Sequence, residues 1–285
     1  MHKNGPNLFW MKKHNIKLIC SDIDGTLLDK NRALSVKTKA VFDLLKNTYP
    51  TVLISSRMPK SLRQLQVELG IQKDPIIAYN GSLIQWEDQT LFSQEMPFSL
   101  LEKMVKYVEN TSIHLSLYHK DEWVVPADDY WAKREAHNTK VKPAIAPLQK
   151  TLVDWKKREI SAHKVMCMGE EKEIEVLYQQ LQLHRNEINA YRSKNTYIEV
   201  SHIEQDKASA LALLLKKKYP KIEMDHVIAF GDNYNDATLL EKVGLGIAVA
   251  NAKEEVLAIA NEITHANIED GVALFLEKEL LKNET

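Results

Sequence analysis

Cysteine is almost missing from this chain: Cys20 and Cys167 are the only two in 285 residues. Two thiols without a Cys-x-x-Cys spacing exclude a disulfide framework and a cysteine metal knuckle. Cys20 lies inside an apolar run and reads as a small core residue, and this usage fits a reducing cytoplasm, the expected location. No apolar run approaches the length of a membrane span. The opening MHKNGPNLFWMKKHN lacks the apolar stretch and small-residue cleavage site of a signal peptide. Met11 before Lys12-Lys13 makes a natural start, so residues 1–15 are expected to be a poorly ordered extension, the first ten of them upstream of the fold. An excess of one charge is missing too. The 38 basic residues nearly cancel 39 acidic ones, leaving a formal −1, so neither nucleic acid nor an anionic membrane is an expected partner. Internal repeats and low-complexity tracts are absent. What remains is ordinary for a globular chain, 44% hydrophobic and 27% charged, at a length that suggests two domains or one large one.

The informative stretch is Lys17–Leu28, KLICSDIDGTLL. Leu18-Ile19-Cys20 runs into Asp22, Asp24, Gly25 and Thr26, the pattern of a buried strand that delivers charge at its C-terminal end. In an extended segment residues i and i+2 point the same way, so the two carboxylates can face one point. Like charges that close need a cation or a shared proton. The pair reads as a metal or acid–base site, against the plainer alternative of a solvated acidic turn before a helix.

Further along, Ser35 is placed to N-cap a helix through Lys46. Thr51–Ile54 is a strand ending in Ser55-Ser56-Arg57. Pro59 opens a helical pattern closed by Gly70, and Pro75–Tyr79 is a third strand ending in Asn80-Gly81. Strand alternating with helix means parallel β-α-β units. From about Leu83 to Val200 the texture changes. His114–Tyr118 and Trp123–Val125 suggest antiparallel, half-exposed strands, with helices at Leu100–Glu109 and Glu171–Leu183, and Lys164–Met168 and Tyr197–Val200 look like further strands. Asp128–Pro147 reads as a helix plus a loop. The parallel pattern then returns: helix Lys207–Lys217, strand Val227–Phe230 running into Gly231-Asp232-Asn233-Tyr234-Asn235-Asp236, strand Gly246–Val249 and a last helix near Gly271–Leu281.

In a parallel sheet the carboxyl ends of all strands lie on one edge. Asp22, Asp24, Ser55, Asn80, Asp232, Asn235 and Asp236 can therefore converge although they are far apart in sequence. Several hard oxygen donors with no histidine or cysteine among them suit Mg²⁺ better than Zn²⁺. A phosphoryl group would complete the logic, its charge met by the metal, by a lysine, and by hydroxyl or amide donors. Lys207, at a helix start that also favours anions, is the lysine candidate. Taken alone it would read as a solvated surface residue.

These residues resemble the four ordered motifs of the haloacid dehalogenase (HAD) superfamily: Asp22-Ile23-Asp24-Gly25-Thr26, then Ser55, then Lys207, then Gly231 to Asp236. Within it the chain is similar to the Cof-type phosphatases, with a large cap between the second and third motifs. Asn80-Gly81, GIAVANA from Gly246 and NIEDGVA from Asn267 are further matches. The resemblance implies a Rossmann-like α/β core (residues 16–83 and 200–285, the HAD fold) with an inserted α+β cap domain (84–199), and hinges near Ser82–Ile84 and Val200–His202. It also implies roles. Asp22 would be the nucleophile that forms an aspartyl-phosphate, and Asp24 the general acid and then base. Mg²⁺ would be held by Asp22, the backbone carbonyl of Asp24 and Asp232, with Asp236 beside it. Ser55, Lys207 and Asn235 would hold the phosphoryl group, while Asn80 and Arg57 are substrate-side candidates. Gly25 would allow a sharp turn that Thr26 steadies locally. Two positions depart from the pattern: Ser55-Ser56-Arg57 replaces Thr-Gly-Arg, and Ala208 replaces the usual glycine. Neither removes a reactive group.

The expected activity is hydrolysis of a small soluble phosphomonoester, with a sugar phosphate the plausible class. A phosphomutase or phosphotransferase acting on hexose phosphates is the alternative enzyme, though no motif argues for rebinding an intermediate. A phosphometabolite sensor without turnover is the alternative from another class, and it would predict loss of Asp22 or Asp24. Substrate choice should lie in the cap. His114, Tyr118, Trp123, Trp131, Arg134 and His137 are polar or aromatic enough to contact a sugar, but aromatics fill cores wherever they occur, and none is nominated.

Overall fold

The structure, a computed structural model, describes residues 15–204 and 206–281. The extension expected at residues 1–15 falls outside these apart from its last residue. The chain divides into two compact units. The first joins the chain up to Ser56 with Leu62–Leu91 and the chain from Asp206; the second joins Arg57–Ser61 with Phe92–Gln205.

The first unit begins with β1 (Leu18–Ser21), α1 (Val36–Leu45), β2 (Thr51–Ile54), α2 (Pro59–Leu69), β3 (Ile76–Ala78), β4 (Leu83–Trp86) and β5 (Gln89–Ser93). Ser35 caps α1 by accepting a hydrogen bond from the Thr38 amide, which satisfies one of the free donors of the first turn. The second unit supplies α3 (Phe98–Val108), β6 (His114–His119), β7 (Glu122–Val125), α4 (Tyr130–Thr139), β8 (Ala144–Ile145), α5 (Leu148–Lys157), β9 (Lys164–Met168), α6 (Glu171–Gln182), β10 (Ile188–Lys194) and β11 (Tyr197–His202). The chain returns to the first unit with α7 (Lys207–Lys218), β12 (Val227–Gly231), α8 (Tyr234–Lys242), β13 (Leu245–Val249), α9 (Glu254–Ile259), β14 (Glu262–Thr264) and α10 (Gly271–Leu276).

The sheet of the first unit runs β14-β13-β12-β1-β2-β3-β4-β5. Pairings from β14 to β3 are parallel, and β4 returns antiparallel to β3. Strands β1, β2, β3, β12 and β13 are buried along their whole length. That is why they read as continuous apolar runs and not as alternations. From β1 the chain winds one way to β2 and β3, and on its return the other way from β12 to β13 and β14. The end of β1 is thus a topological switch point, the place in such sheets where ligands bind.

The second unit is an α+β module whose sheet runs β10-β11-β9-β6-β7-β8. Its pairings are antiparallel except the parallel contact of β7 with β8. On one face Leu115, Leu117, Val165, Cys167, Ile198 and Val200 meet Leu101, Met104, Trp155, Ile174 and Leu177 from the helices. The other face carries His114, Ser116, Tyr118, Trp123 and Lys164, all nearly inaccessible to solvent. The expectation of half-exposed strands is therefore wrong for β6 and for Trp123–Val125 of β7, which are buried. The sequence alternates apolar with polar, yet His114 and Ser116 are packed and bonded: His114 Nε2 lies 3.0 Å from Ser116 Oγ and Nδ1 2.6 Å from Asp129, the N-cap of α4.

The division also falls later than the boundaries of 84 and 199. Strands β4 and β5 extend the first sheet, so the junction follows Leu91, and β11 stays paired with β10 as far as His202. Helix α5 and strand β10 were not anticipated. The apolar stripe of α5 is only Leu148, Leu152 and Trp155 among lysines and Gln149, too short to stand out as a period. No described helix is long and apolar enough to cross a membrane.

Candidate active site

Four strand ends and one helix start build the site at the carboxyl edge of the first sheet. Asp22 follows β1, and its amide continues the parallel ladder by donating to the Phe230 carbonyl at 3.0 Å. Ser55 follows β2, buried, with its amide on Ile77 O. Asn80 follows β3 in a left-handed conformation (φ 55°), and its amide donates to Ser55 O at 2.9 Å. Asp232 follows β12.

Lys207 opens α7, whose N-cap Asp206 accepts from the Ser209 amide. Its side chain has no exposure to solvent, and Nζ lies 2.5 Å from both Asp22 Oδ1 and Asp236 Oδ1. The surface reading that Lys207 invites in isolation is thereby excluded. Asp236 is fully engaged: Oδ1 takes Lys207, and Oδ2 accepts from the amides of Asp232 and Asn233 at 3.1 Å. It closes the β12–α8 turn and fixes the lysine. Gly231 makes room for this, since a Cβ there would sit 2.5 Å from that of Asp236.

Thr26 does not bond locally through its hydroxyl as expected. Its Oγ1 donates to Asp232 Oδ1 at 3.0 Å, across 206 positions of sequence. Gly25 turns with φ +86°, and any Cβ there would meet Asp232 Oδ2 at 2.5 Å. Both the backbone conformation and the space demand glycine. Asn251 Nδ2 donates to Gly25 O at 2.8 Å and Asn267 Nδ2 to Leu28 O at 2.7 Å, while the Asn267 amide bonds Asn251 Oδ1. The GIAVANA and NIEDGVA stretches thus acquire a physical role, which is to clamp the loop after β1.

Asn235 Nδ2 donates to Asn80 Oδ1 at 3.1 Å, so these two candidates meet. Asp24 lies close enough for its charge to act on Asp232. Its Oδ1 accepts from Arg32 Nη1 at 2.7 Å, and its side chain is 34% exposed. Arg57 is buried, its guanidinium donating to Ser61 Oγ and to Asn138 O. These partners belong with Arg57 to the second unit.

One ligand oxygen each from Asp22, Asp232 and Asp236 lies within 4.8 Å of the others. Three carboxylates facing one ammonium leave two negative charges over, and the protonation behaviour follows. Burial pushes the Asp22 carboxyl well above the usual carboxylate range; Lys207 opposes this, while Asp236 and Asp232 add to it. Asp232 is pushed up to about 6 by burial and by Asp236, against the Thr26 hydrogen bond. Burial works against the charge of Lys207, but Asp22 and Asp236 more than offset it and hold the ammonium protonated. A hard, all-oxygen donor set with two charges uncompensated fits a divalent cation of the Mg²⁺ type.

A second trio, Glu95, His119 and His163, also gathers within 4.8 Å, in the second unit. Its chemistry is different. The Lys120 amide donates to His163 Nδ1 at 3.3 Å, which fixes the proton on Nε2, 2.9 Å from Ser93 Oγ. His119 Nδ1 donates to Ser161 O, and the Ser161 amide donates to Glu95. With both nitrogens of His163 taken, that ring has no lone pair to give a metal.

Residues 19–276 match a family described as haloacid dehalogenase-like hydrolase. A Haemophilus influenzae protein provisionally named a phosphatase is 32% identical over 92% of this chain and 97% of its own length. The 5-amino-6-(5-phospho-D-ribitylamino)uracil phosphatase YcsE of Bacillus subtilis is 29% identical over 91% of this chain and 94% of its own. Among solved structures, a haloacid dehalogenase-like hydrolase from Bacteroides thetaiotaomicron superposes with a TM-score of 0.85 at 25% identity, covering 92% of this chain and 99% of that one. With the match spanning the parallel sheet and every strand end at which the site residues gather, the chain belongs to the haloacid dehalogenase-like hydrolase family.

Proposed function

We propose that the protein is a Mg²⁺-dependent phosphatase that hydrolyses a small phosphomonoester through a covalent intermediate on Asp22. The observation that carries this reading is the placement of Asp22: a buried carboxylate at the switch point, 2.5 Å from a buried lysine and grouped with Asp232 and Asp236.

In the first half of the reaction an Asp22 oxygen attacks phosphorus while the bond from phosphorus to the leaving alcohol breaks, and Asp24 gives its proton to the departing oxygen. In the second half water attacks the phosphoryl group, Asp22 is released, and Asp24 takes the water's proton. Lys207 meets the charge on the phosphoryl oxygens, with Ser55 and Asn235 as neutral donors beside it. Asp22, Asp232 and the backbone carbonyl of Asp24 would hold Mg²⁺, which supplies electrostatic stabilisation of the transferring group. Asp236 serves by fixing Lys207. Asn80 acts on the substrate side through its contact with Asn235. Arg57, engaged with Ser61 and Asn138, needs a change of partner before it touches a substrate.

Sugar and polyol phosphates are the class to test first. The substrate in the name of the Bacillus subtilis relative carries its phosphate on a ribityl chain. Release of phosphate from p-nitrophenyl phosphate, with and without Mg²⁺, followed by kcat/KM on a panel of phosphometabolites, tests the proposal. Metal-dependent release that vanishes in Asp22→Asn is expected. Undiminished release in Asp22→Asn would refute the assignment of the nucleophile.

A further inference from the structure

The three donors proposed for the phosphoryl group are held in different ways. Ser55 and Lys207 are buried, and Lys207 is fixed between two carboxylates. Asn235 is exposed. Its backbone is fixed, because Asp236 Oδ2 accepts from the amides of Asp232 and Asn233, and Asn233 Oδ1 accepts from the Tyr234 amide. Its side chain has a single tie among the described residues. Asn80 Oδ1 accepts from Asn235 Nδ2 at 3.1 Å, across 155 positions of sequence. The last torsion of an asparagine is broad and roughly two-fold, so an untied amide would present its oxygen to an anion as readily as its N–H edge. The oxygen of Asn80 accepts and cannot donate. It therefore selects one of the two orientations and leaves the second Nδ2 hydrogen of Asn235 for another acceptor.

Asn80 is itself placed by the phosphate side of the site. Its amide donates to Ser55 O at 2.9 Å, and Ser82 closes the turn by donating its N–H and Oγ–H to Tyr79 O at 3.2 and 3.0 Å. Beside it Gly81 packs on the start of α7, where a Cβ would lie 2.9 Å from the Asp206 carbonyl oxygen. The turn after β3 thus touches the carriers of all three donors: Ser55 through the backbone, Lys207 through the start of its helix, Asn235 through a side chain. The left-handed backbone of Asn80 (φ 55°) does not account for that side chain, since glycine adopts it at least as readily. Stability does not account for it either, because a hydrogen bond between two neutral amides open to water contributes little.

Resting on the phosphatase reading above, we propose that Asn80 is a positioning residue for Asn235, holding its amide with the N–H edge toward the phosphoryl group. Asn80 acts through Asn235 and not on the phosphate. The size of the effect follows from populations. Where only a fraction of a group's conformers is competent to bind, the apparent dissociation constant rises by the inverse of that fraction. With the tie cut, about one in five of the rotamer and flip combinations of Asn235 is competent, so phosphate binds about fivefold more weakly.

The test uses the full-length protein with Mg²⁺, inorganic phosphate binding read by calorimetry, and p-nitrophenyl phosphate hydrolysis beside it. Asn80→Gly is the informative variant, because it deletes the amide and leaves the backbone conformation available. It is expected to weaken phosphate binding about fivefold and to lower kcat/KM by a similar factor, with the Mg²⁺ concentration for half-activation unchanged. Asn235→Ala is expected to weaken phosphate about tenfold or more. Adding Asn80→Gly to Asn235→Ala should then cost nothing further, since no amide remains to be positioned. Penalties that multiply in the double variant would show that Asn80 acts independently of Asn235 and overturn the proposal. So would wild-type phosphate affinity in Asn80→Gly, or a shifted Mg²⁺ requirement, which marks a general disturbance of the strand ends. A wild-type protein that neither binds phosphate nor hydrolyses the ester would sink the phosphatase reading and this proposal with it. Wild-type binding and turnover with multiplying penalties would refute only the role of Asn80. A thermal melt of each variant confirms that folded proteins are compared.

Discussion

His163 gives the second unit a calculable sensitivity to acid. The ring is completely buried, and its pKa is lowered to about 3 by burial first and then by the charges of His119 and Lys120. In the unfolded chain it returns to the ordinary histidine value near 6.5. The folded state binds fewer protons there, so stability is full above the unfolded pKa and is lost as pH falls through the window toward the folded one. Integrating that proton difference from about pH 7.5 to about pH 4.5 gives a loss of roughly 2.7 kcal/mol from this one ring. Half of it, roughly 1.3 kcal/mol, is gone by about pH 5.5. Urea denaturation of the wild type and of His163→Gln across this range is the assay, since glutamine keeps a donor for Ser93 Oγ and cannot titrate. The variant starts lower by the lost Lys120 contact, but the gap should close, and then reverse or vanish, as the pH falls. Stability curves that run parallel for the two proteins would refute the buried, neutral histidine.

Two further perturbations probe the first unit. Lys207→Met leaves Asp22 and Asp236 buried with no counter-charge, and should cost about 3–5 kcal/mol in denaturant titration near neutral pH and about a hundredfold or more in kcat; adding Asp236→Asn to that variant should restore stability but not activity. Asn251→Ala removes the clamp on Gly25 O, and should lower kcat about tenfold through misplacement of the loop while costing only about 1 kcal/mol in stability.

Much of the core of the fold was legible because each parallel strand ends in a sharp change of chemistry. Val227–Phe230 gives way to Gly231-Asp232 and Thr51–Ile54 to Ser55-Ser56, so the strand ends, and with them the candidate site, could be read from local texture. What was hidden depends on partners distant in sequence. Nothing near Thr26 says that its hydroxyl bonds Asp232, and nothing near Lys207 says that two carboxylates bury it. Arg32 carried no signal at all, since a basic residue in a polar loop is commonplace until the backbone turns it onto Asp24. In the second unit the polar residues of β6 suggested exposure because periodicity records chemistry and not cover. His114 and Lys164 are polar and buried at once.

The two carboxylates of the opening motif look alike in sequence and are made unlike by their surroundings. Asp22 is buried against one lysine and two further aspartates. There its charge is costly and its position is fixed, which suits a group that must attack along one line and then carry a phosphoryl group. Asp24, two residues on, is a third exposed and held at one oxygen by an arginine on a strained loop. A partly exposed carboxylate can exchange protons with solvent, as the acid and then base proposed above must. Removing Lys207 should therefore disable the attacking group, and Asp24→Asn should disable proton transfer while leaving the buried cluster in place. The separation of labour proposed for Asp22 and Asp24 rests on that difference in burial and partner, and the two variants test it independently.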